Sequence, residues 1–336
     1  MKISSRSLTS MIATIATVPL LLSACGTSVS TDKADSKKTE AIERIDNCGQ
    51  QLVFHKTPTK VVSLMPTQTE LLLRMGLRDA IVAQAQTGVS ELPADVAQQA
   101  KDIPVLSTDA PPSREKLLSV SPDFVVSPTS YEFTAEQGFA TVQQLRDNGA
   151  NVYIATGGCK DRRNTAKVAD VFTDIQNIGA IMGVPDEANK LIADGKHRLK
   201  AVEDKISGHP RPTVAQLFVE GGSLSAIGAG VEADIVASAG GKNVFSPTDP
   251  QFAKFFAAQI NPEEVVARNP EVIVFGVTGS EHENQTRDYL KKTFPNVSAV
   301  KNDRLVAIPE RDLHPGTLGN IGAVEVLAKA LYPGVF

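Results

Sequence analysis

Short continuous apolar runs alternate along this chain with segments in which apolar residues recur every three or four positions. Leu52-Val53-Phe54, Val61-Val62-Ser63-Leu64, Ile81-Val82-Ala83, Phe124-Val125-Val126 and Val152-Tyr153-Ile154 have the length and composition of strands, most of them covered on both faces. A helix capped by Thr67 or Thr69 is predicted after the second run, with Leu71, Leu72 and Met75 on its apolar face and Gly76 as its stop, and another over 135–148. The same grammar restarts at Thr213–Val219, turns at Glu220–Ser223, and continues as a helix from Ala233 that ends in Gly240-Gly241. Strands at Val272–Phe275 and Leu305–Ile308 and a last helix over Ile321–Leu331 complete it. Strand followed by helix predicts parallel α/β sheets, whose ligand loops lie beyond the carboxyl ends of the strands.

Between the halves, Val168, Val171, Phe172, Ile175, Ile178 and Ile181 fall at helical spacing up to Gly183, and a second helix runs from Pro185 to about Ile206. A helix of about 20 residues spans roughly 30 Å. It can therefore join two lobes as a stiff strut, slightly weakened by Gly195; the alternative is a helix packed inside one domain. The division predicted is an N-terminal α/β lobe over 47–184, an interlobe helix over 185–207 and a C-terminal α/β lobe over 208–336.

One pattern occurs twice. Ser113–Val126 and Asn261–Val274 each open with a helix N-cap, carry an apolar pair (Leu117/Leu118, Val265/Val266), stop at Pro122 or Pro270, and run straight into a strand. Each places a glutamate seven residues before the proline, Glu115 in one and Glu263 in the other, 148 residues apart. Two similarly built lobes that each present a carboxylate imply a two-sided partner. The plainer alternative is that each glutamate complements its own helix dipole.

The N-terminus locates the protein. Lys2 and Arg6 precede an apolar region, Met11–Leu22, and Leu22-Ser23-Ala24-Cys25-Gly26 resembles a bacterial lipoprotein signal over 1–24, cleaved so that the Cys25 thiol carries the lipid (palmitate among its acyl chains). The apolar stretch is shorter than the ~20 residues that cross a bilayer. A polar, aperiodic tether follows over 25–46. Removing the signal leaves 32 Lys+Arg against 38 Asp+Glu, an acidic body without a basic run, which argues against a nucleic-acid partner. Cys48 and Cys159 are an even pair in an oxidising compartment and are expected to form one disulfide, the alternative being two free thiols.

Pro58–Leu77, the two glutamate-to-proline segments, Ile178-Gly-Ala-Ile-Met-Gly and Ala237–Phe245 together resemble the ABC-transporter substrate-binding lipoproteins for iron-siderophores, haem and cobalamin, over about residues 48–334. The resemblance implies an α/β fold of two lobes with parallel sheets flanked by helices, joined by one long rigid helix. It implies a monomer, lipid-anchored on the extracytoplasmic face of the cell membrane, that captures an iron-siderophore or related chelate between the lobes and delivers it to a permease dimer. Glu115 and Glu263 would then dock into arginine pockets, one on each permease half.

The cleft is expected at loops that follow the strands: Met65–Gln68 with Met65 and Thr67, Ser127–Phe133 with Tyr131 and Phe133, Glu220–Ser223 with Glu220, Phe252–Phe256 with Phe252, and Arg311–His314 with Arg311 and His314. The aromatics would pack on an organic ligand, Arg311 would meet its carboxylates or catecholates, and Arg162 and Arg163 are outer candidates. Each has an alternative, the aromatics as core and Arg311 as a solvated charge. Five scattered histidines with no histidine-rich loop disfavour zinc or manganese as cargo, and only His314 falls in a cleft loop, as a haem ligand beside Tyr131 or as a polar wall. No nucleophile elbow, phosphate loop or dinucleotide motif is present, so no enzyme activity and no cofactor of its own is expected. Ala226–Val231 loosely resembles a dinucleotide loop, but Ser223-Leu-Ser before it does not read as a buried strand. A non-transport cell-surface lipoprotein is the remaining alternative.

Overall fold

The computed structural model describes residues 42–336; the signal, Cys25 and most of the tether lie outside them. An antiparallel hairpin, β1 (Glu43–Asn47) and β2 (Gln50–Phe54), comes first. The tether expected to reach residue 46 therefore overlaps a strand, whose alternation of exposed and half-buried residues carries almost no apolar signal. Next come β3 (Val61–Ser63), α1 (Pro66–Arg74), β4 (Ile81–Gln84), α2 (Ala94–Ala100), α3 (Arg114–Ser119), β5 (Phe124–Ser127), α4 (Val142–Asp147) and β6 (Asn151–Ile154). Their four-stranded sheet is parallel, in the order β4-β3-β5-β6.

Two boundaries differ from expectation. Pro66, not a threonine cap, opens α1, because its fixed φ suits the first helical position. The helix predicted over 135–148 is only α4, since Gly138 at φ 81° breaks the chain and Thr141 with Gln144 forms a capping box.

The second half adds α5 (Asp170–Met182), α6 (Pro185–Ile206), β7 (Thr213–Glu220), β8 (Ser223–Ile227), α7 (Gly230–Ser238), β9 (Lys242–Asn243) and β10 (Ala257–Gln259). After these come α8 (Pro262–Arg268), β11 (Val272–Val277), α9 (Ser280–Thr293), α10 (Ser298–Lys301), β12 (Leu305–Pro309) and α11 (Gly319–Leu331). Strands β9, β7, β11 and β12 pair in parallel, and β8 and β10 extend β7 as an antiparallel meander. Ser223–Ile227 is thus a strand after all, with Leu224 and Ala226 buried on one face and the two serines with Ile227 on the other.

The fold is the expected α/β arrangement of two lobes, one on each sheet. Helix α6, about 33 Å long at 1.5 Å per residue, packs between α5 and α11. One apolar core runs from Leu71 and Phe124 through Ile175, Ile178 and Val202 to Ile321 and Val272. The strut is therefore also a packed core helix. Gly195 has a packing reason there: a Cβ would lie 2.7 Å from Ile321 and from Phe172, so glycine lets the three helices approach closely.

The repeated segments fold alike in detail. Ser113 Oγ accepts from Lys116 N and Asn261 Oδ1 from Glu263 N, capping α3 and α8. Each helix is followed by a non-glycine residue at positive φ directly before the proline, Ser121 at 47° and Asn269 at 42°. The acid after each proline then pins the start of the adjacent strand: Asp123 accepts from Thr59 N and Lys60 N, and Glu271 from Thr213 N. Leu117 and Val265 are buried, but Val266 is 50% exposed, so only one member of the second apolar pair faces inward.

Candidate functional site

Loops beyond the carboxyl ends of the parallel strands meet between the two sheets. Gln68 Nε2, on α1, donates to the Gly316 carbonyl at 3.2 Å, and Arg311 donates to the Glu91 carbonyl at 2.6 Å. From the other direction, the segment after β6 reaches α7 and the β10 region. Arg163 forms a two-pronged pair with Glu232 at 2.5 and 2.9 Å, Asn164 donates to the Phe252 carbonyl, and Lys167 Nζ and Val168 N both meet Asp234. Gly316, at φ 66°, lies so close to Ala155 that a Cβ would come within 2.3 Å of it.

Beside these contacts is a cavity of about 230 Å³ lined by Arg163, Phe218, Ser225, Ile227, Glu232, Phe256, Ala257, Gly276, Glu310, Leu313 and His314. The Arg163 guanidinium lies 3.6 Å from the centre of the Phe256 ring, a cation–π contact that, with Glu232, fixes its orientation. The cavity thus offers two aromatic faces, a neutral imidazole, the buried Glu232 carboxylate and the half-buried one of Glu310.

The predicted cleft residues divide. Of those named individually, His314 lines this cavity. Arg311 is next to it, engaged with Asp312 at 3.2 Å and facing Glu70 at 4.0 Å. Phe252 is 1% exposed, edge-on to Phe245 in the core of the second sheet, and Phe133 is 7% exposed in the core of the first. Both are core aromatics, because hydrophobic packing under a sheet competes for the same side chains as a ligand wall. Met65 and Thr67 are buried, and Thr67 Oγ1 has no hydrogen-bond partner among the described residues. Tyr131 is 54% exposed and stacks edge-on with Phe139, and it does not join His314 in the cavity lining. Glu220 is exposed at the end of β7, near enough to raise the pKa of Glu310. Arg163 was only an outer candidate, while Phe218, Glu232 and Glu310 carried no local signal, each looking like an ordinary strand or helix residue.

Two ionisable groups between the sheets titrate in opposite senses. Asp174 is 1% exposed; its Oδ1 accepts from Tyr153 Oη, Thr156 N and Thr156 Oγ1 while Oδ2 has no partner among the described residues. Burial pushes its carboxyl up to about 6, against the lowering effect of those bonds. Burial, and then Arg163, push His314 down to about 4. A raised carboxyl stabilises the fold at low pH and loses that contribution as pH rises from about 4 to 6; a depressed histidine contributes above pH ~6.5 and loses it as pH falls toward 4. The two offset each other. Asp174→Asn is expected to remove the first effect, so the variant's unfolding free energy from urea titration should fall more steeply than the wild type's from pH 6.5 to 4.5, a difference on the order of 2 kcal/mol. Parallel pH profiles for the two proteins would refute this assignment.

The sequence profile of the family described as "Periplasmic binding protein" matches residues 61–311. An ABC transporter substrate-binding lipoprotein of Bacillus subtilis, YvrC, is 25% identical over 335 residues, covering 94% of this chain and 95% of that one. A vitamin B12-binding protein of Vibrio campbellii is 23% identical over 64% of this chain and 69% of its own. Among solved structures, a periplasmic binding protein from Veillonella parvula superposes with TM-score 0.76 at 23% identity, covering 87% of this chain and 98% of that one. A structure of an ABC-type Fe3+-hydroxamate transport system from Saccharomonospora viridis gives 0.71 at 22%, covering 86% and 98%. A periplasmic haem-binding protein of Pseudomonas aeruginosa gives 0.66 at 19%, covering 82% and 94%.

Proposed function

The chain belongs to the periplasmic binding protein family, as a substrate-binding protein of the ABC-transporter class that serves siderophores, haem and cobalamin, and on that ground we propose that it captures a metal chelate between its two sheets and hands it to a permease. The observation that carries this reading is the cavity between the second sheet and the Arg163 segment, at the end of the molecule where both sets of strand-end loops converge. At about 230 Å³ it is smaller than the ~300–1,000 Å³ of a typical small-molecule site. A chelate would therefore insert one arm or edge here and lie across the open cleft. An iron-siderophore is the first choice of cargo, with haem or cobalamin after it; related proteins carry names for each. Among the described residues no three His, Cys, Asp or Glu side chains are grouped to hold an ion, which favours a metal enclosed in its own chelator over a bare zinc or manganese ion.

The protein acts outside the cytoplasm, attached to the membrane through Cys25, and works with an ABC permease whose two halves meet Glu115 and Glu263. No chemistry on the ligand is needed for this role.

A thermal-shift series with ferric siderophores, haem, cobalamin, ferric citrate, zinc and manganese tests it. A true ligand at about 100 times its Kd adds ~2.7 kcal/mol of stability. Stabilisation by at least one chelate is expected; stabilisation by zinc or manganese alone would overturn the chelate reading.

A further inference from the structure

Charged groups around the cleft are unequally engaged. Every arginine named for an anionic ligand is already held by the protein's own oxygens. Arg162 pairs with Asp170 at 3.0 Å, Arg311 donates to the Glu91 carbonyl and to Asp312, and Arg163 is clasped by Glu232 with its guanidinium on Phe256. For a ligand carboxylate to take the same two-pronged edge of Arg163, the guanidinium would have to leave Glu232, whose side chain is 6% exposed, as a buried charge without its cation. That exchange is strongly unfavourable. Lys254, the exposed cation on the loop that carries Phe256, does not line the cavity.

Glu310 is the reverse case. It follows β12, lines the same cavity, and its side chain makes no hydrogen bond or ion pair among the described residues. Besides Arg163, which Glu232 already holds, its titratable neighbours are Glu220, Glu232 and His282, and both ring nitrogens of His282 are in contact elsewhere, with the Val219 carbonyl and with Thr278. Burial and the two nearby carboxylates raise its pKa. A half-buried carboxylate with unfilled acceptor positions is a site for N–H or ammonium donors.

Resting on the capture reading above, we propose that the cavity takes the neutral or cationic, donor-bearing part of a chelate, that Glu310 receives those donors, and that the protein thereby discriminates against anionic chelates. Glu310 is then the specificity-determining residue and the Arg163–Glu232 pair the barrier to acidic ligands.

Binding of five probes to the purified full chain tests this: a cationic ferric trihydroxamate, a neutral one, an anionic ferric tris-catecholate, haem with its propionates, and a corrinoid with amide side chains. At least one of the neutral or cationic, donor-bearing probes is expected to bind about tenfold or more tighter than either anionic probe. Glu310→Gln should weaken that probe about tenfold and leave the anionic probes unchanged or tighter. Glu232→Gln, which frees Arg163, should narrow the gap from the anionic side. Tighter binding of the tris-catecholate or haem would overturn the charge selection while leaving chelate capture intact. Equal weakening of every bound probe by Glu310→Gln would reduce Glu310 to a structural residue and overturn its role. Silence across all five would overturn the capture reading and this inference with it.

Discussion

Replacing both Glu115 and Glu263 by alanine is expected to leave ligand affinity within about twofold of wild type and to cut uptake by cells at least about tenfold. The two residues sit at the same point of two segments that share their cap, their left-handed last residue, the proline and the strand-pinning acid. Both are exposed in the first turn of a short helix, where a carboxylate contributes only ~0.3–1 kcal/mol to its own helix. Loss of either should therefore cost little stability, and a large effect on delivery would have to come from a partner surface. The two are not equivalent electrostatically. A backbone N–H at the helix start, and then Arg114, which pairs with Glu115 at 2.8 Å, hold that carboxyl below its ordinary range. Glu263 forms no ion pair among the described residues. If docking engages arginines, Glu263→Ala should be the more damaging single change, because Glu115 is already partly neutralised. Equilibrium binding and cellular uptake, measured on the same variants, separate capture from delivery. Wild-type uptake by the double variant would sink the docking role.

Breaking the Cys48–Cys159 bridge is expected to lower stability by about 2–5 kcal/mol. The bond closes a separation of 111 residues, for which the chain-entropy argument gives the upper part of that range. It joins the turn of the β1–β2 hairpin to the segment that leaves β6. The hairpin has other ties to that strand, with Asn47 both donating to the Ile154 carbonyl and accepting from Ile154 N, and Asn151 Nδ2 reaching the Val53 carbonyl. Those bonds should keep the hairpin in place under native conditions. The segment beyond Cys159 carries Arg163 to the cavity, so Cys48→Ser with Cys159→Ser should also weaken ligand binding modestly. Urea unfolding of the oxidised, reduced and doubly substituted protein reads the stability, and thiol titration of the untreated protein checks the bond. Two titratable thiols in that sample, beyond any at Cys25, would remove the premise.

Where the chain's own pattern was strong, it carried through to the fold. The strands at 61–63, 124–127 and 272–277 were legible because a strand buried on both faces must be apolar throughout, and most of those residues are fully buried. The caps at Ser113 and Asn261 were legible because capping is a contact between residues two or three apart. The repeat was legible because two lobes solve the same packing problem in the same way. β1 and β8 were missed or doubted for the opposite reason: each shows one face to solvent or to the cleft, so polar residues interrupt its apolar signal even though a hairpin partner lies next to it in the sequence.

At the site the balance shifts. Local pattern pointed to strand-end loops, since those of a parallel sheet converge at one end, but of the loops it named only 252–256 and 311–314 contribute to the cavity lining, with His314 among them and Arg311 beside it. It could not separate Phe252 and Phe133, which complete cores, from Phe218 and Phe256, which line the cavity, because an aromatic side chain is equally suited to either setting. Nor could it show that Arg163 is bound to Glu232, 69 residues away, while Glu310 is left without a partner. Secondary structure, the two-lobed plan, the paired glutamates and the cysteine pair follow from short-range spacing and composition, which the sequence states directly. Which charges are neutralised and which face a ligand depends on contacts between distant segments, and only the packing of one lobe against the other determines those.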